Sequence, residues 1–316
     1  MPLYLTEADV AATFSMSDAL RVLEAAACKI SAGEAMNAPR QRVSAGGAIL
    51  QVLPAALDGR TGHKSYTVGS RGPRFWVTLY APDGSMLALI EANTLGQIRT
   101  GAASGLATRY LARAGARTLG TIGTGFQAST QIEAICLVRP IERVQVWGRD
   151  PARLQAFCRA AGDRLGRPIE AANGAREAVD GADVIATMTS SAQPVFAGEW
   201  LAAGAHVNAA GSNRATASEI DVETIRRAAI VAVEDVAQAK VESGDLLAAE
   251  AAGAFRWDNA VRLADVVAGR SSGRADSAQI TLFESLGVGI WDVAAASHVY
   301  DACREQGRGT ELPFPS

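Results

Sequence analysis

The sequence has few of the residues that build metal centres and disulfide frameworks. Its 316 residues include 4 cysteines and 3 histidines. Neither set shows the short spacings of ligand pairs; the members are Cys28, Cys136, Cys158, Cys303, His63, His206 and His298. This scatter predicts buried free thiols and no protein metal site.

The chain also lacks a strong charge imbalance and a long apolar run. Its formal net charge of −3 gives no reason to expect a nucleic-acid or anionic-membrane partner. No window approaches about 18 consecutive apolar residues, and the N-terminus MPLYLTEADV has no basic segment followed by an apolar one. With 48% apolar and 20% charged residues, the composition is typical of a globular protein, which we expect to be cytoplasmic.

The most informative stretch, residues 118–150, reads as strand, glycine turn, helix and strand. An apolar run at 119–122 ends in GTGFQA, and apolar residues at helical spacing follow from 127 to about 138. Glycines at 123 and 125 permit a tight turn and close backbone approach to a pyrophosphate, and Ala128 lets the helix pack on the strand. Because the helix N-terminus favours phosphate, this order predicts dinucleotide binding.

The end of the second strand, at 144–147, bears on the choice of nucleotide. Such strands usually end in an acidic residue that binds the ribose hydroxyls, but here Gly148 takes that position and Arg149 follows. Arg149, helped by Arg153, suits a ribose 2′-phosphate, which favours NADP(H) over NAD(H). The alternative is a solvated Arg149, with Asp150 as the N-cap of the next helix.

The periodicity predicts two domains of different architecture. Two capping boxes, at Thr6 and Ser15, open helices, and period-2 patterning between residues 37 and 91 predicts an antiparallel meander. After residue 115 strands and helices alternate, which predicts a Rossmann-type, doubly wound parallel sheet of about six strands. The fold class is therefore α/β, with an added α+β domain, and the C-terminal ELPFPS is predicted to be disordered.

Basic side chains in the first domain are candidates for ligand binding. Lys64 lies in GHK at the start of a strand, and Arg40 and Arg42 lie in PRQR. An arginine can grip a carboxylate with two parallel hydrogen bonds, and a lysine can orient it or exchange a proton if its pKa is depressed. The pattern suits an amino or keto acid, although solvated surface charge is the alternative.

Two further segments have polar residues at suitable positions. Arg99 and Thr100 lie among small residues in TLGQIRTGAA, where an arginine is well placed to reach a phosphate or carboxylate. Thr189 follows a strand predicted at 184–188, and ligands of open α/β sheets lie beyond the carboxyl ends of strands. Thr189 is therefore expected at the nicotinamide side of the cleft.

With these pieces in order, the chain resembles the ornithine cyclodeaminase and mu-crystallin family. The similarity covers nearly the whole length, through PRQR, GHK, IRTGAASG, GTGFQA, GADVIATMTSS, HVNAAGSN, ESGDLL and ITLFESLGVGIWD. It implies a substrate-binding and dimerisation domain, 1–113 with about 285–316, around a Rossmann domain, 114–284. It also implies a homodimer and a nicotinamide cofactor, NAD(P)(H), that exchanges hydride with a carbon bearing nitrogen.

The resemblance also implies roles for individual residues. Lys64 and one of Arg40 or Arg42, with Arg40 preferred, would hold the substrate carboxylate, and Lys64 and Arg40 would be catalytic. Arg99 and Asn213 would contact the substrate as well. The residues implied for the cofactor are Arg99, Thr100, Gly123, Gly125, Phe126, Gln127, Ala128, Gly148, Arg149, Thr189, Asn208, Ser285 and Gly287.

One departure from the family pattern separates the possible reactions. True cyclodeaminases use an aspartate in the segment matching Gly211-Ser212-Asn213, and the amide of Asn213 cannot serve as an acid or base. We therefore predict an NAD(P)-dependent oxidoreductase acting on the C–N bond of a small amino acid or imine, either a ketimine reductase or an amino-acid dehydrogenase. The alternatives are ornithine cyclodeaminase, with recycled NAD, and a mu-crystallin-like protein that binds NADPH and a small ligand.

Overall fold

A computed structural model describes residues 1–70 and 72–313, and the chain divides into two compact units. Unit 1 comprises Met1–Thr100 and Val288–Ser316, and unit 2 comprises Gly101–Gly287. The domain ends predicted at 113 and about 285 stay a prediction of where the functional domains divide. In the described part of the chain, no helix combines the length and apolarity that crossing a bilayer requires.

The two N-terminal helices of unit 1 begin at the predicted capping boxes. The Thr6 side chain accepts the N–H of Asp9, and the Asp9 carboxylate accepts the N–H of Thr6, which starts α1 (Glu7–Thr13). Ser15 and Asp18 repeat this exchange at α2 (Met16–Ala32). Both predicted helix starts are confirmed.

A mixed sheet forms most of the rest of unit 1. Its strands are β1 (Leu3–Leu5), β2 (Ala35–Asn37), β3 (Gln41–Ala45), β4 (Ala48–Leu57), β5 (Arg60–Val68), β6 (Arg74–Tyr80), β7 (Met86–Glu91) and a C-terminal strand, Thr310–Glu311. The order is the C-terminal strand, β1, β7, β6, β5, β4 and β2, with β3 also paired to β4. The predicted antiparallel meander is confirmed for β4 to β7, whereas β1 pairs with β7 in parallel.

The C-terminal tail differs in part from its prediction. Glu311 was expected to be disordered, but it pairs with Leu3 at the edge of the sheet. Residues 314–316 of the same tail lie outside the described residues.

The helices around the chain crossover position the charged side chains of unit 1. Helix α3 (Asn93–Leu111) follows β7 and contributes residues to both units, and a late helix, Gly289–Glu305, returns the chain to unit 1. A Cβ on Gly289 would lie 2.5 Å from the carbonyl oxygen of Leu53. Glycine at this position therefore lets the first turn of the late helix approach the backbone of β4.

Unit 2 contains a parallel sheet of eight strands in the described chain. They are β8 (Thr118–Ile122), β9 (Arg143–Trp147), β10 (Glu170–Ala171), β11 (Val184–Thr187), β12 (His206–Ala209), β13 (Ala228–Val233), β14 (Ala260–Arg262) and β15 (Ile280–Glu284), so the C-terminal strand of unit 1 is β16. The order is β10-β9-β8-β11-β12-β15-β13-β14. The doubly wound sheet is confirmed, but the predicted six strands are too few because β14 and β15 were not recognised.

Helices connect these parallel strands. They are α4 (Ala128–Val138), α5 (Pro151–Leu165), α6 (Ala175–Val179), α7 (Val222–Arg227), α8 (Val236–Glu242), α9 (Gly244–Ala251) and α10 (Leu263–Val267), so the late helix of unit 1 is α11. Short 3-10 turns lie at Gly198–Trp200 and Trp257–Asn259.

The strand register brings three strand ends to one level of the sheet. Ile122 at the end of β8 pairs with Trp147 of β9 on one side and with Thr187 of β11 on the other. Because the strand order reverses direction on either side of β8, this is the topological switch point where open α/β sheets bind ligands.

Candidate active site

A cavity of about 630 Å³ lies beyond these three strand ends, within unit 2. Its lining combines the glycine turn, the end of β9 and the loop after β11, and consists of Ile122, Gly123, Thr124, Gly125, Trp147, Gly148, Arg149, Asp150, Arg153, Met188, Thr189, Ser190, Ser191, Pro194 and Val195. Six residues predicted from sequence for the cofactor therefore line one cavity: Gly123, Gly125, Gly148, Arg149, Arg153 and Thr189.

The glycine turn is required by the backbone and by its neighbours. Gly123 has φ +116, and a Cβ there would lie 2.4 Å from the carbonyl oxygen of Met188. At Gly125 the same oxygen is 3.9 Å away, so that backbone is open for a ligand to approach. Ala128 is fully buried at the start of α4, while Phe126 is exposed and Gln127 lies at the N-cap position.

The end of β9 brings a helix N-cap and two arginines to the edge of the cavity. The Asp150 carboxylate accepts the N–H of Arg153 at 3.0 Å as the N-cap of α5. Arg149 and Arg153 both line the cavity, and Gly148 stands where a ribose-binding carboxylate is usually found. The preference for NADP(H) over NAD(H) stays a prediction.

The residues predicted near the nicotinamide are not all brought together. Thr189 lines the cavity, but Asn208 is fully buried on β12 and its amide donates to the Thr108 hydroxyl at 3.0 Å. Ser285 and Gly287 lie after β15, where the Gly287 N–H donates to the Glu234 carboxylate at 2.7 Å. The roles of Asn208, Ser285 and Gly287 at the cofactor stay predictions.

Unit 1 contains a second feature, a cluster of buried charges that we call the basic cluster: Arg40, Lys64, Arg99 and Asp292. Asp292, in the first turn of α11, is fully buried. Its Oδ1 lies 3.3 Å from the Lys64 Nζ and accepts a hydrogen bond from the Arg99 Nε at 2.9 Å. Among the described residues, Asp292 Oδ2 and Arg99 Nη1 are buried without a hydrogen-bond partner.

Arg40 adds a third cation to the cluster. It is buried before β3, and its Nη1 donates to the Tyr66 hydroxyl at 2.7 Å and to the Gln51 Oε1 at 3.3 Å. Arg42, the alternative to Arg40 in the sequence analysis, is exposed on β3. The structure thus places Arg40, and not Arg42, in the basic cluster.

The surroundings of Lys64 change its acid–base behaviour. Burial lowers the pKa of its amine to about 7, the Asp292 carboxylate opposes this shift, and the Arg99 and Arg40 guanidinium groups add to it. The Nζ also lies 4.7 Å from the centre of the Phe75 ring. A lysine with such a pKa can donate or accept a proton near neutral pH.

Small residues of α3 make room for this amine. A Cβ on Gly96 would lie 3.2 Å from the Lys64 Nζ. The hydroxyl of Thr100 donates to the Gly96 carbonyl at 2.7 Å. Asn213 lies half-buried in the loop after β12, so it belongs to unit 2.

Sequence reasoning missed Asp292, Gln51 and Tyr66. Gln51 and Tyr66 lie on β4 and β5 within a buried hydrogen-bond network around Arg40. The one signal for Asp292 was a carboxylate inside the apolar run GIWDVAAA, since a charge is rarely buried unless it is paired.

The residues that line the cavity of unit 2 fit a dinucleotide. Gly125 leaves open backbone that a pyrophosphate can approach, and the cationic side chains of Arg149 and Arg153 line the same cavity. In residues 1–70 and 72–313 no group of three or more His, Cys, Asp and Glu side chains is arranged to hold a metal ion.

The fold and the two features define a class, a Rossmann-type nucleotide-binding protein with a separate unit that carries buried cations. The model of the ornithine cyclodeaminase/mu-crystallin family matches residues 2–307. The chain belongs to this family, and the resemblance inferred from its motifs is confirmed.

Known members of the family are similar along much or all of the chain. A Δ1-pyrroline-2-carboxylate reductase of Bacillus cereus is 40% identical over 233 residues, covering 73% of this chain and 71% of that protein. The structure of the Thermococcus litoralis enzyme of the same name, in complex with NADH and L-proline, has a TM-score of 0.93 at 31% identity and covers 98% of this chain and 100% of that one. The structure of an archaeal alanine dehydrogenase dimer with bound NAD also has a TM-score of 0.93 at 31% identity, and 99% of each chain is covered.

Proposed function

We propose that the protein is an NAD(P)-dependent oxidoreductase that interconverts an imine and an amine next to a carboxylate. The predicted reaction class is confirmed by its relatives, which include pyrroline-carboxylate reductases and an alanine dehydrogenase. In this proposal unit 2 binds the dinucleotide and unit 1 binds a small cyclic imino acid or a 2-oxo acid with ammonia.

The observation that carries the proposal is the charge of the basic cluster. The Lys64 amine and the Arg99 guanidinium contact one buried carboxylate, Asp292, and the buried Arg40 guanidinium acts on Lys64 through its charge. Among the described residues Arg99 Nη1 is buried without a hydrogen-bond partner, and leaving a buried donor unsatisfied is costly, so a ligand that accepts this hydrogen bond is favoured. A substrate carboxylate supplies that acceptor, and a guanidinium can bind a carboxylate with two hydrogen bonds.

The residues of the basic cluster have different roles in the proposed reaction. A bound reduced nicotinamide supplies the hydride that adds to the imine carbon. Lys64 gives the proton that the imine nitrogen needs to become an amine, and it takes that proton back in the reverse direction. Asp292 holds the Lys64 amine and the Arg99 guanidinium in place.

Cyclodeamination is less well supported than simple reduction. It needs an acid or base at the position of Asn213, which an amide cannot supply. Asp245, the acidic residue of the ESGDLL motif, is buried, and its Oδ1 accepts the backbone N–H groups of Glu219 and Ile220. That carboxylate is therefore already engaged within unit 2.

A cofactor-oxidation screen tests the function. Δ1-pyrroline-2-carboxylate, its six-membered homologue, and pyruvate with ammonia would each be offered with NADH or NADPH while absorbance at the reduced-nicotinamide band is followed. Oxidation with one imine supports the proposal. Proline and ammonia from ornithine without net NADH would support a cyclodeaminase, and tight NADPH binding with no turnover would support a binding protein.

The finer proposal, that NADP(H) is preferred, depends on Arg149. Replacing it with alanine removes a charged hydrogen-bond donor worth about 1.5–3 kcal/mol, so affinity for NADPH should fall roughly 10-fold to 100-fold. Affinity for NADH should change little, because NADH lacks the 2′-phosphate. Fluorescence titration with each nucleotide measures the two dissociation constants, and their ratio gives the preference for NADPH.

The matched control for this variant is Arg143→Ala. Arg143 begins the same strand and pairs with Glu170 at the opposite end, at 2.8 Å. Equal losses for NADPH and NADH in Arg149→Ala, or an equal loss in Arg143→Ala, would contradict the assignment.

We also propose that two copies of the chain associate through the sheet of unit 1. Apolar side chains on neighbouring strands are exposed there, including Met36, Val43, Ile49, Leu50 and Val68. Val43 and Leu50 are paired across β3 and β4 and so share one face of the sheet, and exposed apolar side chains grouped in this way are typical of an interface. An alanine dehydrogenase of similar fold is a dimer.

Val43→Asp tests this interface, because Val43 is 64% exposed on β3. A charge buried at a dimer contact should weaken association by roughly two orders of magnitude. Light scattering coupled to size exclusion should then show the monomer mass. Leu137→Asp, at an exposed leucine of α4, is the control and should leave the mass unchanged; a dimeric Val43→Asp protein would refute this interface.

A further inference from the structure

Three hydrogen-bond donors of unit 2 converge on a buried carboxylate that the proposed reaction does not use. Glu219 is 1% exposed. Its Oε2 accepts the Gly211 N–H at 2.6 Å and the Thr187 hydroxyl at 3.1 Å, and its Oε1 accepts the Thr189 N–H. A carboxylate is an acceptor only, so it satisfies all three donors at once.

These donors belong to the segments that end β11 and β12 beside the dinucleotide cavity. Thr189 lines the cavity, and the carbonyl oxygen of its neighbour Met188 fills the space that a Cβ on Gly123 would need. Gly211 is equally confined, since a Cβ there would lie 2.4 Å from Glu219 Oε2. Glu219 therefore fixes the backbone at this edge of the cavity through its hydrogen bonds.

The fold keeps this carboxylate in unfavourable surroundings. Burial raises the pKa of Glu219 to about 6, against the hydrogen bonds that lower it. Two more carboxyl groups lie nearby: the Asp245 side chain, from the first turn of α9, accepts the backbone N–H of Glu219 at 2.8 Å, and Glu284 on β15 interacts with the charge of Glu219. Burial also raises the pKa of Asp245 and Glu284, and the charge of Glu219 contributes to the rise at Glu284.

We propose that Glu219 is a positioning residue for the dinucleotide, whose carboxylate holds the Thr189 edge of the cavity in the geometry that binds the cofactor. The inference rests on the proposed function, because it presumes that the cavity binds a nicotinamide nucleotide. Glu219 touches neither substrate nor reacting atoms in this role; it acts through the backbone of Thr189 and Gly211.

Glu219→Gln tests the proposal, because glutamine has the same shape but turns an N–H₂ group towards donors. We expect the dissociation constant of NAD⁺, measured by calorimetry near pH 7.5, to rise about tenfold. In the wild type it should also rise about tenfold as the pH falls from about 7 to about 5, since protonation removes one acceptor. In the variant this pH dependence should disappear, which a general loss of packing would not produce.

Asp183→Asn is a closely matched control at the amino end of the same sheet. The Asp183 Oδ2 accepts the N–H groups of Arg117 and Thr118 at 2.7 and 3.0 Å and the Thr118 hydroxyl at 3.0 Å. These two N–H groups and one hydroxyl are the same in kind as the donors to Glu219, although Asp183 Oδ1 also pairs with Arg113, and Asp183 lies away from the cavity lining. Asp183→Asn should bind NAD⁺ with wild-type affinity and keep the wild-type pH dependence.

The outcomes separate this inference from the proposed function. A wild-type protein that binds neither NAD⁺ nor NADP⁺ overturns the function itself. Normal wild-type binding with an unchanged constant and pH profile in Glu219→Gln overturns the positioning role alone, as does an equal loss in Asp183→Asn. Thermal unfolding without nucleotide shows whether Glu219→Gln folds. If it does not fold, the wild type provides the test: a dissociation constant for NAD⁺ that does not change with pH through pH 6 overturns the positioning role of Glu219.

Discussion

Lys64→Met should lower kcat for imine reduction about a thousandfold while leaving the dissociation constant of NAD(P)H nearly unchanged. Methionine keeps the unbranched side chain but cannot give a proton to the imine nitrogen. Lys64 belongs to unit 1, whereas the dinucleotide cavity is built from unit 2 alone. Stopped-flow reduction and nucleotide titration measure the two effects separately.

The same variant should be more stable than the wild type at neutral pH. Because the folded-state pKa of Lys64 is lowered to about 7 from 10.5, the unfolded chain binds a proton that the folded chain releases between these values. Below about pH 7 the folded protein must bury a protonated Lys64 amine, and the resulting loss of stability is complete. As the pH rises from about 7 towards 10.5, the free energy of unfolding of the wild type increases again. The free energy of unfolding of the wild type should therefore approach that of Lys64→Met in this window.

Lys29→Met provides the control for both effects. Lys29 is a surface lysine of α2 that also pairs with an aspartate, Asp58. Its replacement should change neither kcat nor the pH dependence of stability, since exposed ion pairs contribute little. An active Lys64→Met enzyme would remove the proposed acid and leave the basic cluster without a catalytic role.

Gly123→Ala should abolish measurable nucleotide binding, with an affinity loss of roughly a hundredfold or more, and should lower the melting temperature. The new Cβ would lie 2.4 Å from the Met188 carbonyl oxygen, on a backbone with φ +116. Both the steric overlap and the left-handed conformation oppose alanine, so β8 and β11 must separate. Calorimetric titration with NADPH and thermal unfolding give the two readouts.

Gly125→Ala separates a loss of nucleotide binding caused by a destabilised protein from one caused by a blocked approach to the pyrophosphate. The nearest atom to its Cβ is the Met188 oxygen at 3.9 Å, so the protein without nucleotide should melt like the wild type. Nucleotide affinity should still fall, because the second glycine lets the backbone approach the pyrophosphate. Gly115→Ala, with no neighbour within 4 Å, should change neither quantity; wild-type binding by Gly123→Ala would argue against nucleotide in this cavity.

The parts of the fold that were predicted correctly are those with strong local signals. Residues 118–147 gave the order of β8, α4 and β9 because the glycine turn and the change of period are local features. β14 has three residues and β15 runs directly into a glycine-rich loop, so neither has a periodic pattern of its own. These strands form because neighbouring strands pair with them, which a linear pattern does not show.

In the candidate site too, residues with a local sequence signal were predicted, and residues defined by contacts between distant parts of the chain were not. Lys64 and Arg40 were identified because basic residues stand out in short motifs, and the structure places both in the basic cluster. Asp292 was missed because its helix is otherwise apolar, and its partners lie 193 and 228 positions earlier in the chain (292 − 99 and 292 − 64). The role of Asn208 beside the nicotinamide stays a prediction; the partner of its side chain, Thr108, lies 100 positions earlier and could not be predicted from a local pattern.

The crowding at the end of β9 restricts how members of this lineage can exchange one nucleotide for another. A Cβ on Gly148 would lie 3.0 Å from the Cγ2 of Thr124, so the threonine methyl must shift by a few tenths of an ångström before a side chain enters at 148. A smaller residue at 124 removes this overlap and so favours the change to a ribose-binding carboxylate. Positions 124 and 148 should vary together among homologues, as a linked pair that records the nucleotide each ancestor used.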